Sequence, residues 1–154
     1  MSHRLHRFFW PQIMNLDYLA GFIDGEGTVG LSKRKNSYIP YVSISNTNAE
    51  VIKQIKIFLE LNGINSTTVI RKAMKANHKD ALGLTVRWQH AIKLCVLLKD
   101  KLIIKHNQAN IIVNEYPKCT PRNGRYNETN KKAKQVIVNK LHLLNSRGNY
   151  VTSI

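Results

Sequence analysis

The sequence predicts an α+β fold in which a four-stranded antiparallel sheet carries helices on one face and leaves the other open. Three observations predict it. Helical and strand-like periodicities alternate in the order helix, hairpin, helix, hairpin, then helices. Within each hairpin the strands are joined by short polar turns and not by the crossovers of about a dozen residues that a parallel pair needs, so the sheet is expected to be antiparallel. Apolar residues make up 43% of the 154, enough for one core of its own.

The elements follow in order. Asn15 can cap a first helix running to about Asp24, and Gly25 and Gly27 then let the chain leave it. "TVGLSKR" and "YIPYVSIS" alternate with period two on either side of "KNS" and read as a hairpin. Pro40, in the second of these strands, predicts an edge or a bulge there. From the cap Asn48, the residues Val51, Ile52, Ile55, Phe58 and Leu59 form one helical stripe that Asn62-Gly63 ends. "TTVIRKA" and "ALGLTVRW" flank the turn "MKANHKD" as a second hairpin. A third helix is expected over about 89–99 with Ala91, Ile92, Cys95 and Val96 inward, and a fourth over about 102–116. Pro117, Pro121 and Gly124 mark a basic loop, and a last helix spans about 129–145 with Ala133, Ile137, Leu141 and Leu144 on one face.

Charge points to the partner. The chain holds 24 Lys+Arg against 9 Asp+Glu, a formal charge of +15, and its pI is near 10.1. A polyanion is implied. Cys95 and Cys119 are far apart and form no CxxC, which gives neither a disulfide framework nor a zinc knuckle. Pro11 and Asp17 interrupt the N-terminal apolar residues, so no secretory signal is expected, and no stretch is long enough to cross a bilayer. A soluble intracellular protein without a membrane partner is expected, in a prokaryotic cytoplasm or an organelle matrix or stroma.

The stretch "LAGFIDGEG", residues 19–27, places Asp24 and Glu26 where the helix dipole is already negative. Carboxylates there work against stability unless a cation joins them. Gly21 and Gly25 stand four apart, a spacing of small residues that lets a second helix approach closely, whether in the same chain or in another copy. On the first hairpin, alternation turns Val29, Leu31, Val42 and Ile44 toward the core and Ser32, Arg34, Tyr41, Ser43 and Ser45 away. Such a face suits base edges in a major groove, and it is also what any solvated antiparallel face shows; the residues alone leave both readings open.

Leu19 to Gly27 resembles the signature of the LAGLIDADG homing endonucleases, and the order of elements after it is that family's order. "KHNQANIIVNE", residues 105–115, and the terminal "LHLLNSRGN" are similar to segments of its small single-motif members, which cleave as homodimers. The resemblance covers about residues 16–149 and implies an αββαββα domain over 15–149 with extra C-terminal helices. An extension of residues 1–14, with Phe8, Phe9 and Trp10, and a tail of 150–154 lie outside it.

By that resemblance, Glu26 falls at the eighth motif position, the metal-binding acid, with the carbonyl of Gly25 as companion ligand. Lys105 aligns with a basic residue of the reaction pocket and Asn46 with a polar one at the end of the second strand. Asp24 is the structural or capping acid. Ala20, Gly21 and Asp24 fall on the dimer contact. The saddle implies DNA contacts by Ser32, Arg34, Asn36, Tyr41, Ser43, Ser45, Arg71 and Lys72, with Lys132 and Arg147 gripping phosphate. His106 with Asn107 hints at a His-Asn-His nuclease, but none of the six histidines completes that spacing.

Two copies packed about a two-fold axis would bring two Glu26 carboxylates together, an arrangement that divalent cations and a phosphate make tolerable. The expected function is a homodimeric, site-specific, Mg²⁺-dependent DNA endonuclease of a mobile intron or similar element, with Mn²⁺ or Ca²⁺ able to occupy the site. It would make a staggered cut in a near-palindromic target. The rival is an RNA maturase acting on a host intron, or a DNA-binding regulator, on the same fold without cleavage.

Overall fold

The computed structural model describes residues 14–121 and 126–146. Helix α1 (Leu16–Glu26) starts at Asn15, whose Oδ1 accepts from the Tyr18 amide at 2.8 Å. It runs two residues past the expected end and stops at Gly27. A Cβ on Gly27 would lie 2.7 Å from the Ile23 carbonyl oxygen, so only glycine lets the chain turn straight into a strand here.

Strands β1 (Gly27–Arg34) and β2 (Ser37–Asn46) pair without a bulge around a two-residue turn in which Lys35 takes a left-handed φ of 47°. After α2 (Ala49–Leu61), β3 (Thr67–Arg71) and β4 (Ala81–Arg87) complete an antiparallel sheet of order β1-β2-β4-β3. Pro40 needs no bulge. β4 pairs with β2 only from Tyr41 onward, so Pro40 lies in the stretch where β2 has β1 as its one neighbour and its missing N–H costs no ladder bond.

Helix α3 (Trp88–Leu98) begins on Trp88, which holds a left-handed φ of 58°. The helix expected from 102 starts at His106 instead: α4 (His106–Asn110) continues as a π turn, Ile111–Glu115, and a 3-10 turn, Tyr116–Cys119. Residues 102–105 are held outside the helix because Ile103 and Lys105 give their amides to the Asp24 carboxylate, at 2.7 and 2.9 Å. Helix α5 (Glu128–Asn145) is capped by Asn127.

One apolar core runs between the sheet and the helices, centred on Leu19, Ile23, Val42, Ile52, Leu84 and Ile112. Two helical faces are turned from the expected ones. In α3, Leu94 and Leu98 are buried and Val96 is exposed. In α5, Lys134, Ile137, Val138 and Leu141 are buried while Ala133 is exposed and Leu144 only half-buried. The buried Lys134 ammonium sits over the rings of Tyr116 and Tyr126 and donates to the Tyr126 hydroxyl, a cation–π arrangement that polarity patterns miss. Residues 1–13, with the aromatic cluster of the expected extension, lie outside the described residues, as do Gly124, Arg147 and the tail.

Candidate nucleic-acid interface and reaction pocket

Directly paired residues of antiparallel strands share a face. The register therefore draws rows across the open side of the sheet. One row runs Thr28, Ser43, Thr85, Thr67, a line of hydroxyls over all four strands. The next holds Gly30, Tyr41 and Arg87, and another Ser45, Gly83 and Val69. Ser32 and Arg34 extend the face along β1, and Asn36 lies exposed in its turn. Arg71 lies flat over Gly83, its Nε only 2.9 Å from where a Cβ would stand.

Tyr41 leans over Gly30 in the same way, and burial pushes its phenol above the ordinary value, so it stays a protonated donor at neutral pH. The Arg87 guanidinium donates to the Thr67 hydroxyl at 3.2 Å, which holds it across the face. Thr28, Thr67, Thr85 and Arg87 were not among the expected contacts. The alternation of "ALGLTVRW" against Leu84 and Val86 was signal enough to find the last two. Lys72, expected on DNA, is engaged elsewhere: its ammonium pairs with Asp80 at 2.9 Å, and Asp80 also accepts from the Ala73 amide. These bonds hold the Asp80 carboxyl below its usual range. Lys132 is exposed on α5.

At the end of α1 the structure brings Glu26 and Lys105 to one cavity of about 330 Å³, lined also by Gly25, Thr28, Gln108 and Asn145. Thr28 belongs to the open face too, so the cavity adjoins it. Glu26 is exposed. Lys105 donates from Nζ to the Asp24 carbonyl at 2.5 Å, and burial lowers its pKa below the ordinary lysine value, against the opposing pull of Asp24. Asp24 itself is buried and spends both carboxylate oxygens on the backbone of the 102–105 turn.

Of the residues expected at the dimer contact, Ala20 and Asp24 are buried within the chain and Gly21 is exposed; the exposed side of α1 carries Tyr18, Gly21 and Gly25, with Phe22 stacked on Tyr18. Among the described residues, a Cβ on Gly21 or Gly25 would meet nothing within 4 Å. Asn46 does not line the cavity: its Oδ1 accepts from the Asn48 amide at 2.8 Å and shapes the turn into α2. His106 is locked between the Lys99 carbonyl on Nδ1 and the Asn110 amide on Nε2, so it is not free to act as a base.

No group of three or more His, Cys, Asp or Glu side chains among the described residues could hold a metal ion. The oxygens at the α1 terminus, one carboxylate with nearby carbonyls, fit a hard cation that keeps several waters and takes phosphate oxygens as further ligands, and do not fit a zinc-type site.

The model of the LAGLIDADG-like domain matches residues 14–104, which run from the first helix through the turn that Asp24 pins. The chain belongs to that family. The LAGLIDADG fold is also that of the homing endonuclease I-CvuI in complex with a DNA target, with a TM-score of 0.64 at 17% identity over 90% of this chain and 86% of that one. It is shared with I-GzeII, a LAGLIDADG homing endonuclease in complex with its DNA target, with a TM-score of 0.54 at 20% identity over 80% of this chain and 42% of that one. At such identities the likeness is one of fold. An uncharacterised protein of Methanocaldococcus jannaschii is 34% identical over 80 residues, 42% of this chain and 30% of that protein. The chain thus spans about a third of the curated relative's length.

Proposed function

We propose that this LAGLIDADG protein is one subunit of a homodimeric, site-specific DNA endonuclease that makes a Mg²⁺-dependent staggered cut, with residues 15–149 as its catalytic unit. The observation that carries the reading is the cavity that holds Glu26 and Lys105 and opens beside the polar face at Thr28. A duplex laid on that face presents a phosphate to the cavity. Glu26 and the Gly25 carbonyl would hold the cation, which supplies a water acidified enough to attack phosphorus and a counter-charge for the transition state. Lys105, beside Glu26 in the cavity, places its positive charge where negative charge develops on the phosphate.

One cavity serves one strand, so two copies are needed for a double-strand cut. The bare glycine side of α1, beside the stacked Tyr18 and Phe22, suits a close two-fold helix contact. The reading places the protein with DNA inside a prokaryotic cell or an organelle, as part of a mobile intron or similar element.

The test begins with selection of a bound site from randomised duplexes in Ca²⁺, followed by transfer to Mg²⁺. Cutting of both strands with a fixed stagger is expected. A tightly bound duplex that is never nicked in Mg²⁺ or Mn²⁺ would instead leave a DNA-binding regulator, or an RNA maturase if intron RNA competes for the site.

A further inference from the structure

Gln108 is an amide buried to 4% exposure on α4, and it belongs to neither the reading face nor the metal-holding oxygens. Its Nε2 lies 3.4 Å from the Leu144 carbonyl and 3.3 Å from Asn145 Oδ1. Both are acceptors, which fixes the orientation of the amide. Asn145, the last residue of α5, passes the connection on: its Nδ2 donates to the Val29 carbonyl of β1 at 3.0 Å. At the next residue, a Cβ on Gly30 would stand 3.4 Å from Asn145 Nδ2 and 3.3 Å from the Tyr41 ring. The bare glycine is where a strut from the pocket meets the reading face.

The other end of the strut is in the cavity. Gln108 and Asn145 both line it beside Glu26 and Lys105. Gln108 Oε1 is buried with no hydrogen-bond partner among the described residues. Buried amide oxygens are bonded to protein or to ordered water, and a polar cavity of this size accommodates water.

We propose that Gln108 and Asn145 are positioning residues that couple the reading face to the cleavage pocket. Gln108 Oε1 accepts from a water of the cavity and so orders the water near Glu26, while Nε2 keeps Asn145 wedged between Gly30 and the pocket. A base pair seated correctly on Tyr41 then presses on a wall of the pocket that cannot yield. The catalytic half of this inference rests on the nuclease reading; the strut itself does not.

The test compares wild type with Gln108→Met and Asn145→Ala in three measurements. Amide exchange of the free proteins should quicken about tenfold or more over 141–146 and in β1 in both variants. Affinity for the selected duplex in Ca²⁺ should stay within about threefold, while single-turnover cleavage in Mg²⁺ falls about ten- to a hundredfold, and further in Gln108→Met, which alone loses Oε1. Discrimination between the selected duplex and one mismatched beneath Tyr41 should shrink in cleavage rate but not in affinity, a split that general loosening does not produce. Unchanged exchange, or cleavage that falls only in step with affinity, would overturn the proposal. Should Gln108→Met fail to fold, the exposed Asn145→Ala decides it alone. If wild type cuts no duplex, the nuclease reading fails while the exchange measurement still says whether the strut exists.

Discussion

Asp24 and Glu26 stand two residues apart on one helix end and do opposite work. Asp24 satisfies two amides of a distant turn, so its charge is spent inside the chain. Glu26 is exposed at the cavity, beside Lys105 and open to a ligand from solvent. The conflict with the helix dipole was legible in the sequence; the division of labour was not, because the partners of Asp24 are 79 and 81 residues away. Glu26→Gln keeps size and hydrogen bonding but removes the charge that would hold a cation in the proposed site. Cleavage should therefore fall by orders of magnitude while duplex affinity without metal holds or rises, measured by nicking and by filter binding. Lys105 gives a second prediction. Its folded pKa lies below the ordinary lysine value, so between the two the unfolded chain keeps a proton that the folded chain has released, and stability rises with pH across that window. The stability of wild type relative to Lys105→Met, from urea melts, should accordingly increase as pH climbs toward about 10.5; a flat or falling difference would show that the ammonium is not destabilised by burial.

At the scale of elements, what local rules govern was legible and what tertiary contact decides was not. Both caps, Asn15 and Asn48, and both hairpins follow from side-chain oxygens and period-two alternation. The start of α4 was misplaced because helix period continues through 102–105, and only the Asp24 carboxylate pulls those amides out of a helix. Val96 and Ala133 are exposed and not inward as their periodicity predicts, because an apolar stripe has two edges and the sequence does not say which edge meets the sheet. The glycines of α1 separate fold from assembly. Gly27→Ala pushes a Cβ into the Ile23 carbonyl and should cost about 1–3 kcal/mol in chemical denaturation. A Cβ on Gly21 meets nothing within 4 Å among the described residues. Gly21→Val should leave the helical circular dichroism intact yet sediment as a single chain, where wild type is expected to sediment as two. A Gly21→Val protein that stays dimeric would move the two-fold contact away from α1.

At the scale of the whole molecule, charge provides grip and the sheet provides choice. In the proposed dimer, two chains at +15 each would bring a strongly positive surface to a duplex, so affinity should fall steeply with salt. The open face adds hydroxyls from every strand, the Arg71 guanidinium over Gly83 and the Arg87 guanidinium bonded to Thr67. These two contributions can be told apart because phosphate contacts are blind to sequence and base contacts are not. Lys132, exposed on α5 away from the strand rows, should act on phosphate alone: Lys132→Gln weakens every duplex alike and lowers the slope of log affinity against log salt by about 1 per contact. Arg87 is fixed by Thr67 beside Tyr41, in mid-face. Arg87→Gln should relax the preference at one position of each half-site, by about 1–3 kcal/mol, and change the binding to unrelated duplexes far less. Selection of targets with the two variants at two salt concentrations checks both. If Arg87→Gln weakens all sequences equally while Lys132→Gln alters the selected site, the reading surface is not the open face of the sheet and the duplex lies across the helices instead.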